Sequence, residues 1–356
     1  MIILPEQPAP TKDQAPTEDE EPMDLSPSED EEPMDLSPTE DEEPTGLKTE
    51  TKFRVSSKHL TMASRRAKVM FSGNFAESQP NEDGFRHWKF EPIFESSAFE
   101  IVMNAIHGHT QKLPTSVTIK TLAQIAAVVD DLECHNALWF PAKMWIDTLK
   151  DSLSRAHDSA LAGLILVSFV FSEPELFKSA TRKAIREGTK PFPSYGLPIR
   201  PKIIETMDED REFAIESFVL ELESITKQIC QYTTTCIPEC KPLVIGAFMQ
   251  KIVSMKLSTP QPVRPFPGFS CSNIDLSTRQ FQLPLLYLGT NLQSRSGFEM
   301  PKEASVILKE RPRGNDLPSH RMEGKLEEHT CDLRNLTLSG IKPTFKNQGL
   351  ELSKFR

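Results

Sequence analysis

The sequence lacks an apolar run long enough to cross a bilayer. Its most apolar stretch, Ser159–Ser172 (SALAGLILVSFVFS), is fourteen residues, short of the roughly 20 a spanning helix needs, and fits a buried core helix. MIILPEQPAP has no basic start and meets Pro5 after a few apolar residues, so it does not read as a signal peptide. Cysteine is sparse: six irregularly spaced residues in 356. Without an export signal these read as reduced thiols, not as a disulfide framework, and Asn335-Leu336-Thr337 is an idle glycosylation match. No Gly-rich phosphate loop, Gly-x-Ser-x-Gly elbow or paired-carboxylate motif occurs. The expectation is a soluble, intracellular protein of nucleus or cytoplasm, neither membrane-bound nor an enzyme.

Charge is present but unevenly spread. Of 51 Asp/Glu and 41 Lys/Arg, residues 1–50 hold 17 acids and two lysines. That leaves 34 acids against 39 bases for the remainder. The globular part is close to neutral, with no basic stripe to run along a phosphate backbone, so direct nucleic-acid binding is not expected. The acid sits in an eleven-residue repeat: TEDEEPMDLSP (17–27), SEDEEPMDLSP (28–38) and a decayed TEDEEPTGLKT (39–49). Such copies cannot bury enough apolar area to offset ordering entropy, and a Pro in each forbids a coiled coil. Residues 1–50 are therefore expected to be a disordered acidic arm.

Order is predicted to begin near Lys52. Phe53 and Val55 alternate with polar residues as in a half-buried strand, and a short helical stretch passes through Leu60 and Ala63. Arg86–Phe90 reads as a second strand with Trp88 and Phe90 on one face. Ser97-x-x-Glu100 matches a capping box ahead of Phe99, Val102, Met103 and Ile106. A second helix carries Leu122, Ile125, Ala126, Val129 and Leu132. A third carries Leu138, Trp145, Ile146 and Leu149, and Pro141 is expected to kink or restart it. Residues 155–275 read as a helical extension, in which a long amphipathic helix places Ile215, Phe218, Val219, Leu222 and Ile225 inward. Residues 276–356 read as a polar, Pro-broken, disordered tail with a short strand at Leu285–Leu288.

These pieces, in this order, resemble a known family. FRVSSKHL (53–60), the turn Phe71-Ser72-Gly73 with Phe75, Glu77 and Ser78, DGFRHWKF, AFEIVMNAIHG and LAQIAAVVDDLECHNAL are similar to the BTB/POZ domains abundant in filamentous fungi. The helical region ending in PFPGFS is similar to what trails the domain in those proteins. The resemblance implies an α+β, mostly helical fold: a BTB/POZ-like domain over 51–152 with a short N-terminal sheet packed against helices, then an all-α extension. It implies a non-enzymatic protein-interaction module, an adaptor or scaffold. Homodimerisation, corepressor recruitment and adaptor binding to a cullin-type ubiquitin ligase all remain open. The family opens with an additional apolar strand, and TGLKTET (45–51) offers none, which leaves the homodimer in question.

Chemistry-bearing residues are few. Cys230, Cys236 and Cys240, with Cys271 farther on, lack the paired spacing of a zinc site; loop or buried thiols are the preferred reading, and a zinc-stabilised helical domain is the lower alternative. No cofactor is expected. Cys134-His135 and His107-x-His109 do not face one another on a helix. Arg65, Arg66 and Lys68 read as a solvated helix face. The sharper signal is PMDLS, twice: Pro22, Asp24, Leu25 and Ser26, then Pro33, Asp35, Leu36 and Ser37. It resembles the Pro-x-Asp-Leu-Ser peptide taken as an extended strand by C-terminal-binding-protein corepressors. Repeat slippage produces the same matches and is preferred on the sequence alone. Thr17, Ser28 and Thr39, each before Glu-Asp-Glu, and Ser26 and Ser37, each before Pro, are candidate phosphorylation sites.

Overall fold

Ile2–Pro5 forms a strand (β1), so the chain does not open on the acidic arm. β1 pairs antiparallel with Glu50–Phe53 (β2), from Ile2 opposite Phe53 to Pro5 opposite Glu50. It pairs parallel with Trp88–Lys89 (β3), Ile2 opposite Trp88, and is the central strand of the order β2–β1–β3. Two expectations are corrected here: residues 1–50 are not one disordered arm, and an apolar strand, Ile2–Pro5, does precede the strand that ends at Phe53. The last two residues of TGLKTET, Glu50 and Thr51, belong to β2 itself, while Ile2, Ile3 and Leu4 supply the apolar run a two-sided position needs. Ile3 lies level with Lys52 and Lys89 and is only 4% exposed. The computed structural model describes residues 1–5, 50–231, 240–258, 260–280, 286–287, 326–327 and 349–356; the repeats at 17–49 lie outside them.

The chain divides into two units, Met1–Leu149 and Lys150–Arg356. In the first, an aromatic cluster backs the sheet. Trp88 lies 4.6 Å from Phe90, and Phe71 meets Trp88 edge-on at 5.5 Å. Phe90 contacts Phe94 and Phe99 at 5.9 and 5.3 Å, and Phe53 contacts Phe99 at 5.4 Å, tilted and T-shaped geometries favoured by ring quadrupoles. The helices are Ser57–Ala63 (α1), Arg65–Ser72 (α2), Ser96–Ile106 (α3), Ile119–Leu132 (α4) and His135–Leu149 (α5). α4 is the most buried of these, with Leu122, Ala123, Ile125, Ala126, Ala127, Val128, Val129 and Leu132 all inside. Ser64 joins α1 to α2: its Oγ accepts from Ala67 N at 2.9 Å and donates to Leu132 O at 2.5 Å.

Two local expectations change. α3 starts one residue before the predicted capping box; Glu95 occupies the cap position without a side-chain cap bond and instead pairs with Lys120 at 3.3 Å. α5 does not restart at Pro141. It continues as one helix, held by Leu138 and Ala142 on one side of the proline and Trp145 and Ile146 on the other, all buried. The Trp145 Nε1–H donates to Pro114 O at 3.0 Å.

The second unit is helical: Asp158–Val170 (α6), Pro174–Glu187 (α7), Pro201–Gln231 (α8), Cys240–Ser254 (α9) and Cys271–Arg279 (α10). α6 is buried continuously from Leu161 to Val170, as its unbroken apolar run requires. α7 starts with Pro174 at its first turn, where a missing N–H is harmless. Ile215, Phe218, Val219, Leu222, Ile225 and Ile229 of α8 pack with Val244, Phe248 and Ile252 of α9. The segment after α9 straps α8. Gln261 donates to Glu223 at 2.8 Å, Arg264 reaches Glu216 at 2.5 Å and Glu212 at 3.3 Å, and Arg211 donates to Pro265 O at 2.6 Å. α10 crosses the predicted boundary at 275, so ordered structure extends into the expected tail. Leu286–Tyr287 (β4) pairs antiparallel with Leu326–Glu327 (β5), within the strand predicted at Leu285–Leu288. Among the described residues no helix is long and apolar enough to cross a membrane.

Candidate interaction surface

The outward side of α5 carries three exposed large apolar residues close together in sequence. A helix that buries Leu138, Ala142, Trp145 and Ile146 on one side needs no apolar residues on the other. Yet Trp139 and Phe140 are each 65% exposed and Met144 is 56% exposed. Phe140 and Met144 are one turn apart and so are Trp139 and Lys143, which places all four on one side with Asp147. Lys143 Nζ lies 3.7 Å from Asp147 Oδ1. Large aromatic and thioether side chains ringed by an ion pair make the composition that protein interfaces favour at their centres.

The basic group at 65–68 resolves into separate roles. Arg65 pairs with Glu133 at 3.2 Å. Arg66 pairs with Asp131 and lies over the rings of Trp88 and Phe90 at 5.4 and 5.7 Å, fixing α2 to the end of α4. Burial raises the Asp131 carboxyl above its ordinary range, and Arg66 opposes that rise. Lys68 is left on the exposed face, so the three residues do not form one solvated face.

The histidines also have structural partners. Ser56 N–H donates to His107 Nε2 at 2.9 Å, and His107 Nδ1 lies 2.8 Å from Met103 O. The ring therefore carries its proton on Nδ1 and links the start of α1 to the end of α3. His59 stacks near it, with ring centroids 5.3 Å apart. Cys134 is buried, and burial pushes its thiol up to about 12. At neutral pH that thiol supplies almost no thiolate nucleophile.

Of the remaining predicted residues, Pro22, Asp24, Leu25, Ser26, Pro33, Asp35, Leu36 and Ser37 lie outside the described residues, as do Thr17, Ser28 and Thr39. The residues that flank them are described: Pro5 and Glu50, with 44 residues between them, face each other at one end of the β1–β2 pair. Cys236 also lies outside the described residues, as does the Cys240 side chain. Cys230 is exposed, whereas Cys271 is buried with its thiol raised to about 11 by burial. Among the described residues no three His, Cys, Asp or Glu are arranged to hold a metal ion. No protein-family model, curated protein or solved structure matches this chain.

Proposed function

We propose that the first unit is a BTB/POZ-type protein-interaction module and that the chain acts as a self-associating adaptor or scaffold. The observation that carries this reading is the outward face of α5, where Trp139, Phe140 and Met144 stand exposed on a helix whose other side is already buried. The resemblance of residues 53–149 supports it, and the strand Ile2–Pro5 removes the departure that weighed against a dimer. Proteins are the partners; no cofactor takes part.

Sedimentation equilibrium on the full chain tests the reading. The wild-type chain is expected to self-associate at tens of micromolar. Phe140→Asp together with Trp139→Ala should weaken that association at least about 30-fold, as loss of roughly 2 kcal/mol of hot-spot contact implies. A strictly monomeric wild-type chain, or association untouched by the double substitution, would sink it. The finer readings, corepressor recruitment and cullin-type adaptation, rest on partners. The two PMDLS copies in the sequence motivate the first, and full chain compared with a deletion of 17–49 in binding a purified C-terminal-binding-protein corepressor decides it.

A further inference from the structure

The residues 349–356 (GLELSKFR) sit on α6 and α7 although about 70 residues of chain separate them from the end of α10. Each contact is specific. Leu350 N–H donates to the buried Thr181 Oγ1 at 2.9 Å, and the Thr181 hydroxyl donates onward to Phe177 O at 2.8 Å. Leu350 and Leu352 are both buried. Lys178 Nζ meets Glu351 Oε1 at 2.6 Å, and Phe355 lies 6.1 Å from the Phe177 ring. Arg356 donates to Phe169 O at 3.2 Å and to Ser172 Oγ, placing a cation at the carbonyl end of α6, where the helix dipole favours it.

Gly349 explains how the backbone comes so close. A Cβ there would lie 1.7 Å from Lys178 O and 3.0 Å from Arg182 N. The segment therefore crosses the α7 main chain at a distance only glycine permits. A main-chain N–H donated to a buried hydroxyl, alternate apolar anchors and flanking charged contacts are features of a short-peptide site.

We propose that this face of α6 and α7 is a docking groove for a peptide of the pattern Gly-Leu-x-Leu-x-x-Phe-Arg, and that a second copy of this chain supplies the same segment in trans. Every contact above is made by residues 349–356 alone, so a segment from another copy would be seated identically. Exchange of an identical element is a low-cost route to a closed pair. Within one chain, the covalent tether presents the segment at an effective concentration on the order of millimolar, so the groove is occupied in cis until copies are concentrated.

The test uses full-length chains and a fluorescein-labelled peptide of residues 347–356. Gly349→Ala in the chain should vacate the groove, and the peptide should then bind it saturably by anisotropy. The wild-type chain should bind the same peptide at least about tenfold more weakly, because its own segment competes. A peptide bearing Gly349→Ala should not bind either chain. For the exchange itself, two differently tagged copies with the native 349–356 segment, both carrying Phe140→Asp and Trp139→Ala to take the α5 surface out of the experiment, should co-purify after incubation at high concentration. Copies that also carry Gly349→Ala should not. A chain ended at Gln348, verified as folded by circular dichroism, replaces the Gly349→Ala chain if that variant melts early. Absence of saturable binding to either vacated chain would overturn the groove, and tagged copies that never mix would overturn the trans occupant.

Discussion

The two units each close on a segment far away in sequence, but by opposite chemistry. The first takes Ile2–Pro5, an apolar strand, into the centre of a sheet across a 44-residue excursion. The second ties the segment after α9 to α8 through a buried cation, Arg211, which is 1% exposed. Its guanidinium donates to Pro265 O at 2.6 Å and reaches Phe266 O and Phe269 O at 3.5 and 3.4 Å. A strand in a sheet is held by main-chain pairing that many apolar residues could support. A strap held by side chains, with Arg211 alone donating to three of its carbonyls, depends on the identity of those residues. The first unit should therefore tolerate conservative change at its closure, and the second should not.

The hardest way to break the comparison is Arg211→Ala. It leaves three carbonyls of the strap without their donor in a buried setting, for which a cost of about 4 kcal/mol is expected. The chain provides a selective reporter. Its three tryptophans, Trp88, Trp139 and Trp145, all fall in the first unit. Urea denaturation followed by circular dichroism should show a component displaced to lower denaturant, while the tryptophan-detected transition stays in place. A tryptophan transition moving in step would mean that the two units unfold as one block.

Ile2→Ala makes the converse cut, with a smaller effect. Ile2 is buried opposite both Phe53 and Trp88, so truncation removes contacts on both sides of the central strand. About 3 kcal/mol is expected, within the range for buried Ile→Ala changes, and it should appear in the tryptophan transition. Ile2→Val should cost about 1 kcal/mol or less. If Ile2→Val were as damaging as Arg211→Ala, the contrast between main-chain and side-chain closure would be wrong.

What the sequence revealed follows the same divide. The inward stripes of α4 (Leu122, Ile125, Ala126, Val129, Leu132) and α8 (Ile215, Phe218, Val219, Leu222, Ile225) were legible, because helical periodicity is a local property and burial acts on it directly. β1 was not. Four residues beside a low-complexity acidic arm are too short a run to mark a strand by alternation, and 44 residues separate even the nearest pair, Pro5 and Glu50. Arg211, inside the charged run DEDRE, reads as solvent-facing; only the strap that covers it gives it a buried role. The α5 surface did leave a trace. Trp139, Phe140 and Met144 add apolar residues to the side of the helix that also carries Lys143 and Asp147, more than one buried face needs, and that excess is the signal the proposed interaction rests on.

The smallest expected effect sharpens the comparison inside the second unit, by asking whether its other remote segment also depends on charge. The Lys178 ammonium, by hydrogen bond and by charge, holds the Glu351 carboxyl below the usual glutamate range. A carboxyl lowered in the docked state contributes its full stabilisation above its undocked value, about 4.3, and loses it as pH falls through the lowered value. Docking of 349–356 should therefore be flat from neutral pH down to about 5 as far as this pair is concerned, and weaken only below that. Asp210, near Lys354, works the other way: burial raises its carboxyl, so protonation on mild acidification relieves a penalty instead of removing a contact. The labelled peptide on the Gly349→Ala chain separates the two. Replacing Glu351 by Gln in the peptide should abolish the acid-side weakening and leave mild-acid behaviour unchanged. Because the pair is solvent-exposed, the loss should be a small fraction of the affinity, with Gly349 and the two leucines holding the rest. A peptide released completely by Glu351→Gln would instead make this segment dependent on a single charged side chain.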